Sequence, residues 1–408
     1  MSTETSARKR LWVVSELYYP EETSTGYYLT RIAEGLADKF EVKAISGQPN
    51  YSARGVRAPK RELRNDVEIF RAAGTTLDKN IIAFRLINML TLGASVLFTA
   101  LRRFRAGDRV LVVTNPPAMP FIVAIASLLR GSVYSLLIHD NYPEILIAAE
   151  KVKQGSMTAR FLQFLNRWLY KHTSRIIVVG RDMQELVSRK TAGLDVPITV
   201  IPNWAELETV SPAPRAGNAL LAELGLERKF VLLYAGNIGP PNDIESIVRA
   251  AELLLPEKQY HFVFLGSGVK RPYLTREAKA RSLENLTILD PRPRSEQIVF
   301  LNACDVSLVS LVSKMRGVSM PSRTYNILAA GKPIIGVTEP GSEVDRIIEE
   351  EGVGWNVPPG EPDQLVAVIR QAYSGQGTLA EMGRRARTAA ETKYSLETAI
   401  AKYRDAIA

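Results

Sequence analysis

The sequence predicts an α/β chain of two Rossmann-like domains with parallel sheets, and three observations carry that reading. Apolar runs of strand length alternate with helical patterns almost from end to end. Those runs are near-continuous Val, Ile and Leu, which suits strands covered by helices on both faces. The chain has 408 residues, too many for one ordinary core.

In the first half the strand-like runs are "RLWVVSEL", "EVKAISG", "DRVLVVT", "VYSLLIHD", "SRIIVVG" and "PITVIPN". In the second half they are "KFVLLYAGN", "YHFVFLGSG", "NLTILD", "DVSLVSL" and "KPIIGV". Between them "WAELETVSPAPRAGN", Trp204 to Asn218, is polar, carries Pro212 and Pro214, and reads as a linker. The expected divisions are a first domain over 1–205, a second over 206–385, and a C-terminal helix over 386–408 that packs back on the first. Ligands of such sheets bind beyond the carboxyl ends of the strands, so the cleft between the domains is the expected site.

Composition narrows the function classes. With 46% hydrophobic and 23% charged residues the chain is globular, neither disordered nor membrane-embedded. Lys and Arg number 52 against 43 Asp and Glu, and the net charge of +9 favours an anionic partner. Nucleic acid is not expected, because no recognition motif or aromatic-interleaved basic strand is present. The single cysteine, Cys304, excludes an internal disulfide and reads as a small buried residue. The N-terminus "MSTETSARKRLWVV" has no apolar signal core, which points to a cytoplasmic protein. Leu86 to Leu101 is apolar but short and interrupted by Asn88, Thr91 and Ser95, and Val110 to Leu129 is broken by "NPPAMP". Neither reads as a span.

Five strand-to-helix turns carry small or polar residues at carboxyl ends. In "YYPEETSTGYYLTRIAEGLA", Ser24, Thr25 and Gly26 open a helix, and Gly26 permits close backbone approach. "LLIHDNYPE" ends a strand in His139 and Asp140, His139 being one of three histidines. A histidine there serves a ligand or is structural, and both readings stand. "IPNW" closes the last strand of the first half. "YAGNIGPPNDIESIVRAAELL" holds Gly236, Asn237 and Gly239, and "FLGSGVKR" holds Gly266, Ser267, Gly268 and Lys270. No G-x-G-x-x-G, G-x-x-x-x-G-K-[ST], H-E-x-x-H or G-x-S-x-G pattern occurs, which speaks against dehydrogenase, P-loop, zinc-protease and hydrolase readings.

"MPSRTYNILAAGKPIIGV", Met320 to Val337, predicts a short helix with Ser322 as N-cap and Gly331 and Pro333 as stop signals. Arg323 at its start either serves a phosphate or is an ordinary surface residue.

The succession "PEETSTGYYLTRIAEGLA", "HDNYPE", "VIPNW", "LLYAGNIG", "FLGSG", "PSRTYNILAAGKPIIGV" and "GVGWNVPPGEPDQLVAVI" resembles the retaining glycosyltransferases of family 4, in the bacterial branch serving colanic-acid, capsule or O-antigen assembly. The resemblance implies a GT-B fold and transfer from a nucleotide-sugar donor, a UDP-sugar, to a lipid-linked or glycan acceptor. It implies no cofactor and no metal. Donor contacts would come from Gly26, Gly236, Asn237, Gly239, Gly266, Ser322, Arg323, Thr324, Asn326 and Glu343, and acceptor contacts from Ser24, Thr25 and Glu144. His139 would orient a sugar hydroxyl, Asp140 or Glu144 would assist acceptor deprotonation, and Arg323 would neutralise the diphosphate. Two glutamates usual in the family fall at Val318 and Asn326 by register on Gly331-Lys332-Pro333, so both carboxylates are missing. The usual basic residues of the Gly-rich turn are missing too, and Asn237, Asn242 and Asp243 stand nearby. Glu343 either replaces the ribose contact or is a solvated helix residue.

Between Arg54 and Arg71 lie Arg54, Arg57, Lys60, Arg61, Arg64 and Arg71, and Arg102, Arg103 and Arg105 follow the apolar stretch 84–101. Such a cluster beside an amphipathic segment suits an anionic membrane surface, hence a peripheral position on the inner face of the plasma membrane. Helices buried on the sheet would account for the same apolar residues. Rival readings are a GT-B sugar-nucleotide 2-epimerase and a catalytically weak binding subunit.

Overall fold

The computed structural model describes residues 8–50, 55–75, 77 and 81–408. Two compact units divide the chain. The first holds residues up to Tyr142, Met157–Ile201 and Ala399–Ala408; the second holds Pro143–Ser156 and Pro202–Thr398.

In chain order the first half runs β1 (Arg10–Val14), α1 (Ser24–Leu36), β2 (Glu41–Ser46), β3 (Arg61–Arg64), β4 (Val67–Arg71), α2 (Ile82–Arg103), β5 (Arg109–Val113), α3 (Met119–Arg130), β6 (Val133–Ile138), α4 (Glu144–Ala148), α5 (Met157–His172), β7 (Arg175–Val178), α6 (Arg181–Lys190) and β8 (Ile198–Val200). Its sheet has the order β3-β4-β2-β1-β5-β6-β7-β8, parallel except for the β3–β4 pair. Val13 of β1 lies opposite Ala44 of β2 on one side and Leu111 of β5 on the other, and all three are buried. Runs without a polar alternate form central strands because helices cover both faces. Arg10 makes paired hydrogen bonds to Asp108, and the Trp12 indole donates to the same carboxylate at 2.9 Å, so that buried charge is matched.

The second unit continues with α7 (Ala219–Leu224), β9 (Phe230–Ala235), α8 (Ile244–Leu253), β10 (Tyr260–Leu265), α9 (Arg271–Ala280), β11 (Leu286–Leu289), α10 (Gln297–Asn302), β12 (Val306–Ser310), α11 (Arg323–Ala329), β13 (Ile334–Val337), α12 (Glu343–Glu351), β14 (Gly354–Val357), α13 (Pro362–Ser374), α14 (Gln376–Thr392) and α15 (Leu396–Ile407). Its sheet is wholly parallel in the order β11-β10-β9-β12-β13-β14. Leu232, Tyr234, Phe262, Phe264, Leu308 and Ile335 of the strands pack with Ile247, Leu365 and Ile369 of the helices.

Several details depart from the sequence reading. The 54–71 segment contains the β3–β4 edge hairpin, whose cations are engaged: Arg61 with Glu68, Arg64 with Glu34, and the buried Arg71 with Glu62. Those three are not free cations, whereas Arg57 and Lys60 are exposed, and Arg54 lies outside the described residues. The 204–218 segment is no loose tether, because Trp204, Ala205 and Val210 are buried and the Ala205 amide donates to Tyr394. Residue 386 falls inside α14, and the stretch that joins the first unit begins at Ala399. There Arg404 pairs with Asp38 at 2.7 Å. Cys304 is fully buried. Among the described residues no helix is long and apolar enough to cross a membrane.

Candidate active site

In the second unit the carboxyl ends of β10, β9, β12 and β13 line up along one edge of the sheet. The winding reverses at β9, which has β10 on one side and β12 on the other. Outgoing turns diverge at such a point, and open α/β sheets hold ligands there.

Arg323, the first residue of α11, stands beside this point. Its Cζ lies 4.4 Å from the centroid of the Tyr234 ring, and its Nη1 donates to the Ala235 carbonyl at 3.5 Å. Tyr234, next to last in β9, is fully buried, and its hydroxyl donates to the Asn237 carbonyl at 2.7 Å. Burial pushes that phenol's pKa up, and the neighbouring Arg323 charge works against the push. No carboxylate among the described residues pairs with Arg323. A half-buried guanidinium held by a ring and a carbonyl, without a counter-charge, is ready to receive an anion.

The glycines explain how the turns come so close. Gly236 has φ +143°, and a Cβ there would stand 2.9 Å from Arg323 Nη1, so the glycine admits the guanidinium. At Gly266, φ +156°, a Cβ would fall 1.9 Å from the Gly236 carbonyl oxygen. The Cβ side of Gly266 is therefore filled by the β9 turn. Gly239 is buried against the Asn237 amide, while Asn237 itself is exposed beside the turn. Lys270 after the neighbouring turn is engaged: its Nζ donates to the Asn242 carbonyl at 2.8 Å and to Glu245 at 2.9 Å. Asn242 joins Gly239 to Ser310, and Asp243 caps α8.

The other predicted donor residues separate. Ser322 occupies the N-cap of α11 in a helical conformation without a side-chain cap hydrogen bond, so its capping role is not as expected. Thr324 is wholly buried with its hydroxyl unpartnered. Asn326 is buried and its amide is used inside the unit. It accepts from the Glu206 amide at 2.9 Å and donates to Gln297 Oε1 at 2.8 Å. Glu343 opens α12 beyond β13 and is 3% exposed, which removes the solvated alternative. Val318, at the other missing-carboxylate position, is a buried apolar residue.

In the first unit, β6 ends at Ile138 and His139 follows it. The backbone amides of His139 and Asp140 both donate to Thr114 Oγ1, at 3.2 and 3.4 Å, which fixes the turn against the end of β5. The His139 ring Nε2 is buried without a partner. Desolvation pulls its pKa down to about 4, so the ring is neutral near pH 7 and can take a hydroxyl hydrogen bond without a charge. Ser24 is exposed at the start of α1 and Thr25 is half-buried. Gly26 is buried, and a Cβ there would meet the Glu21 carbonyl at 2.8 Å, so its close neighbour is the chain itself. Glu144 opens α4, which belongs to the other unit. The sequence reading missed Tyr234 and Thr114. Their signal was an aromatic and a hydroxyl residue closing the apolar runs "VLLYA" and "RVLVVT".

Residues 24–204 match the family described as Glycosyl transferase 4-like domain, and residues 219–389 match Glycosyl transferases group 1. A relative from Pseudomonas aeruginosa, named Probable glycosyltransferase WbjE, is 30% identical over 401 residues, covering 97% of this chain and 96% of its own. The Escherichia coli K12 protein WcaI, whose name ascribes it to colanic acid biosynthesis as a glycosyl transferase, is 26% identical over 373 residues, covering 87% and 90%. Among solved structures, Anabaena HepE in complex with UDP superposes with a TM-score of 0.71 at 17% identity, covering 98% and 99%. Two parallel-sheet α/β units of this kind make up the GT-B fold. With each half matched and a relative this similar over nearly its whole length, the chain belongs to the family that joins a glycosyl transferase 4-like domain to a glycosyl transferases group 1 domain, and it is a glycosyltransferase.

Proposed function

We propose that the chain moves a sugar from a UDP-sugar to a lipid-linked or oligosaccharide acceptor, with retention, in cell-surface polysaccharide synthesis. The observation that carries the donor half is Arg323: a half-buried guanidinium with no carboxylate partner, seated over the glycine turn at the reversal of the sheet. The names of WcaI and of the HepE complexes with UDP and UDP-glucose support the pathway and the donor class.

In this reading the donor diphosphate lies against Asn237 and the α11 start, with Arg323 on its oxygens. As the bond from the anomeric carbon to the phosphate oxygen breaks, negative charge collects on that oxygen and the guanidinium stabilises it. No metal is needed for that step. Glu343, buried at the start of α12, accepts from ribose hydroxyls in place of the absent family carboxylate. His139, held neutral, orients a sugar hydroxyl, and Asp140 or Glu144 receives the acceptor proton. Thr25 and Ser24 face the acceptor.

Calorimetric titration with UDP, GDP and ADP tests the donor class, with saturable binding expected for UDP. Failure of all three at millimolar concentration overturns the reading. Rapid turnover of donor without any acceptor would point to the epimerase instead.

A further inference from the structure

The helices on one side of the first unit present an outward face that its own fold does not use. α2 packs on α3, and α3 packs on α5. The exposed residues of α2 recur at helical spacing through Ala83, Ile87, Leu90, Ala94 and Phe98, ending at Arg102. On α3 they are Ile125, Leu128 and Leu129, and on α5 Met157, Phe161 and Phe164. Leu90 is 67% exposed and Phe164 68%. An outward stripe of this composition on three adjoining helices is the reverse of a water-facing surface.

The charge pattern says what covers it. α2, α3 and α5 contain seven Lys or Arg residues and no Asp or Glu, against a net charge of +9 for the whole chain. On α5 the cations Arg160, Arg167 and Lys171 form a second exposed stripe beside the aromatic one. The Arg102 guanidinium lies over the Phe98 ring, 5.2 Å from its centroid, at the edge of the α2 stripe. A second copy of this chain would set the same cations against one another across a two-fold contact. A bilayer with anionic headgroups instead meets the apolar stripe with acyl chains and the cations with phosphates.

We propose that this α2–α3–α5 face docks flat on an anionic membrane surface, with Leu90, Phe98, Leu129, Phe161 and Phe164 inserted at the headgroup boundary. The proposal does not rest on the donor reading above. It keeps the α2 stretch and Arg102 that the sequence suggested but not the hairpin cations Arg61, Arg64 and Arg71, which are ion-paired; α5 supplies further cations.

Sedimentation with phosphatidylcholine vesicles, with and without a third phosphatidylglycerol, tests it. The full chain should bind the anionic vesicles only and lose binding in 0.5 M salt. Leu90→Asp with Phe164→Asp, and separately Arg160→Glu with Arg167→Glu and Lys171→Glu, should each weaken that binding by roughly tenfold or more. All five side chains are exposed, so the melting temperature should not move, and UDP titration of the same samples keeps the donor reading separate. Equal affinity for both vesicle types, or variants that bind as well as the parent, overturns the proposal. So does a dimer, detected by sedimentation velocity, that Leu90→Asp dissociates.

Discussion

Arg323 is held by contacts that are weak one by one: a ring face at 4.4 Å and a carbonyl at 3.5 Å. Its strongest interaction is therefore reserved for an incoming anion. If that anion is the departing diphosphate, the interaction strengthens in the transition state, and its loss appears in turnover more than in donor affinity. Arg323→Ala should cut kcat by about a hundredfold while the melting temperature holds, and Arg323→Lys should recover only part, because a point charge cannot make two parallel hydrogen bonds. Near-normal turnover of the alanine variant in a donor-consumption assay would leave Arg323 without a catalytic part. Gly266 makes the contrasting case. A methyl group there would stand 1.9 Å from the Gly236 carbonyl oxygen, at a φ that side chains rarely adopt. Gly266→Ala should cost about 3 kcal/mol or more in denaturant unfolding, because both turns must shift.

At the scale of elements, the helices that follow the strands are anchored by side chains that also fix neighbouring loops. Asp243 caps α8 through the Ser246 amide at 2.9 Å, and its second oxygen accepts from the Gly360 amide at 2.9 Å, tying the loop before α13. Asp243 also accepts from Ser246 Oγ at 2.7 Å, and without it the buried Ser246 amide loses its cap, so Asp243→Ala should lower stability by about 2 kcal/mol in thermal or urea unfolding. An unchanged midpoint would show that water replaces these bonds. α11 lacks such an anchor, since Ser322 makes no side-chain cap. Its seven residues are held instead by burial of Tyr325, Ile327 and Leu328, which is why the helix stays in place beside the turn.

At the scale of the molecule, each unit carries its own sheet and its own candidate residues, so a nucleotide should report on one of them alone. Saturating UDP should slow amide exchange at the carboxyl ends of β9 and β12 and around Arg323, and leave β1 to β8 at their free rates. At a hundred times its dissociation constant the ligand would stabilise the second unit by about 2.7 kcal/mol. Protection confined to the first unit would place the nucleotide elsewhere. The +9 charge likewise resolves unevenly, with α2, α3 and α5 free of acidic residues.

The sequence by itself determined the two parallel-sheet units, because strands buried on both faces must be written as unbroken Val, Ile and Leu, and that pattern is local. It also located the turns with Gly236, Arg323 and His139, since glycines and polar residues closing an apolar run mark carboxyl ends. It could not show β3, β4 and β14 as strands, for "RELR" and "GWNV" are short and half-polar and become strands only by pairing with a neighbour. Nor could it sort the glycines. Whether Gly236 admits a guanidinium and Gly266 a carbonyl depends on which turns the sheet order brings together, and strand order is a property of contacts far apart in the chain. Likewise only packing decided that Asn326 and Thr324 are buried and that Leu90, Phe98 and Phe164 are exposed, because an apolar stripe reads the same in sequence whether a sheet or solvent lies against it.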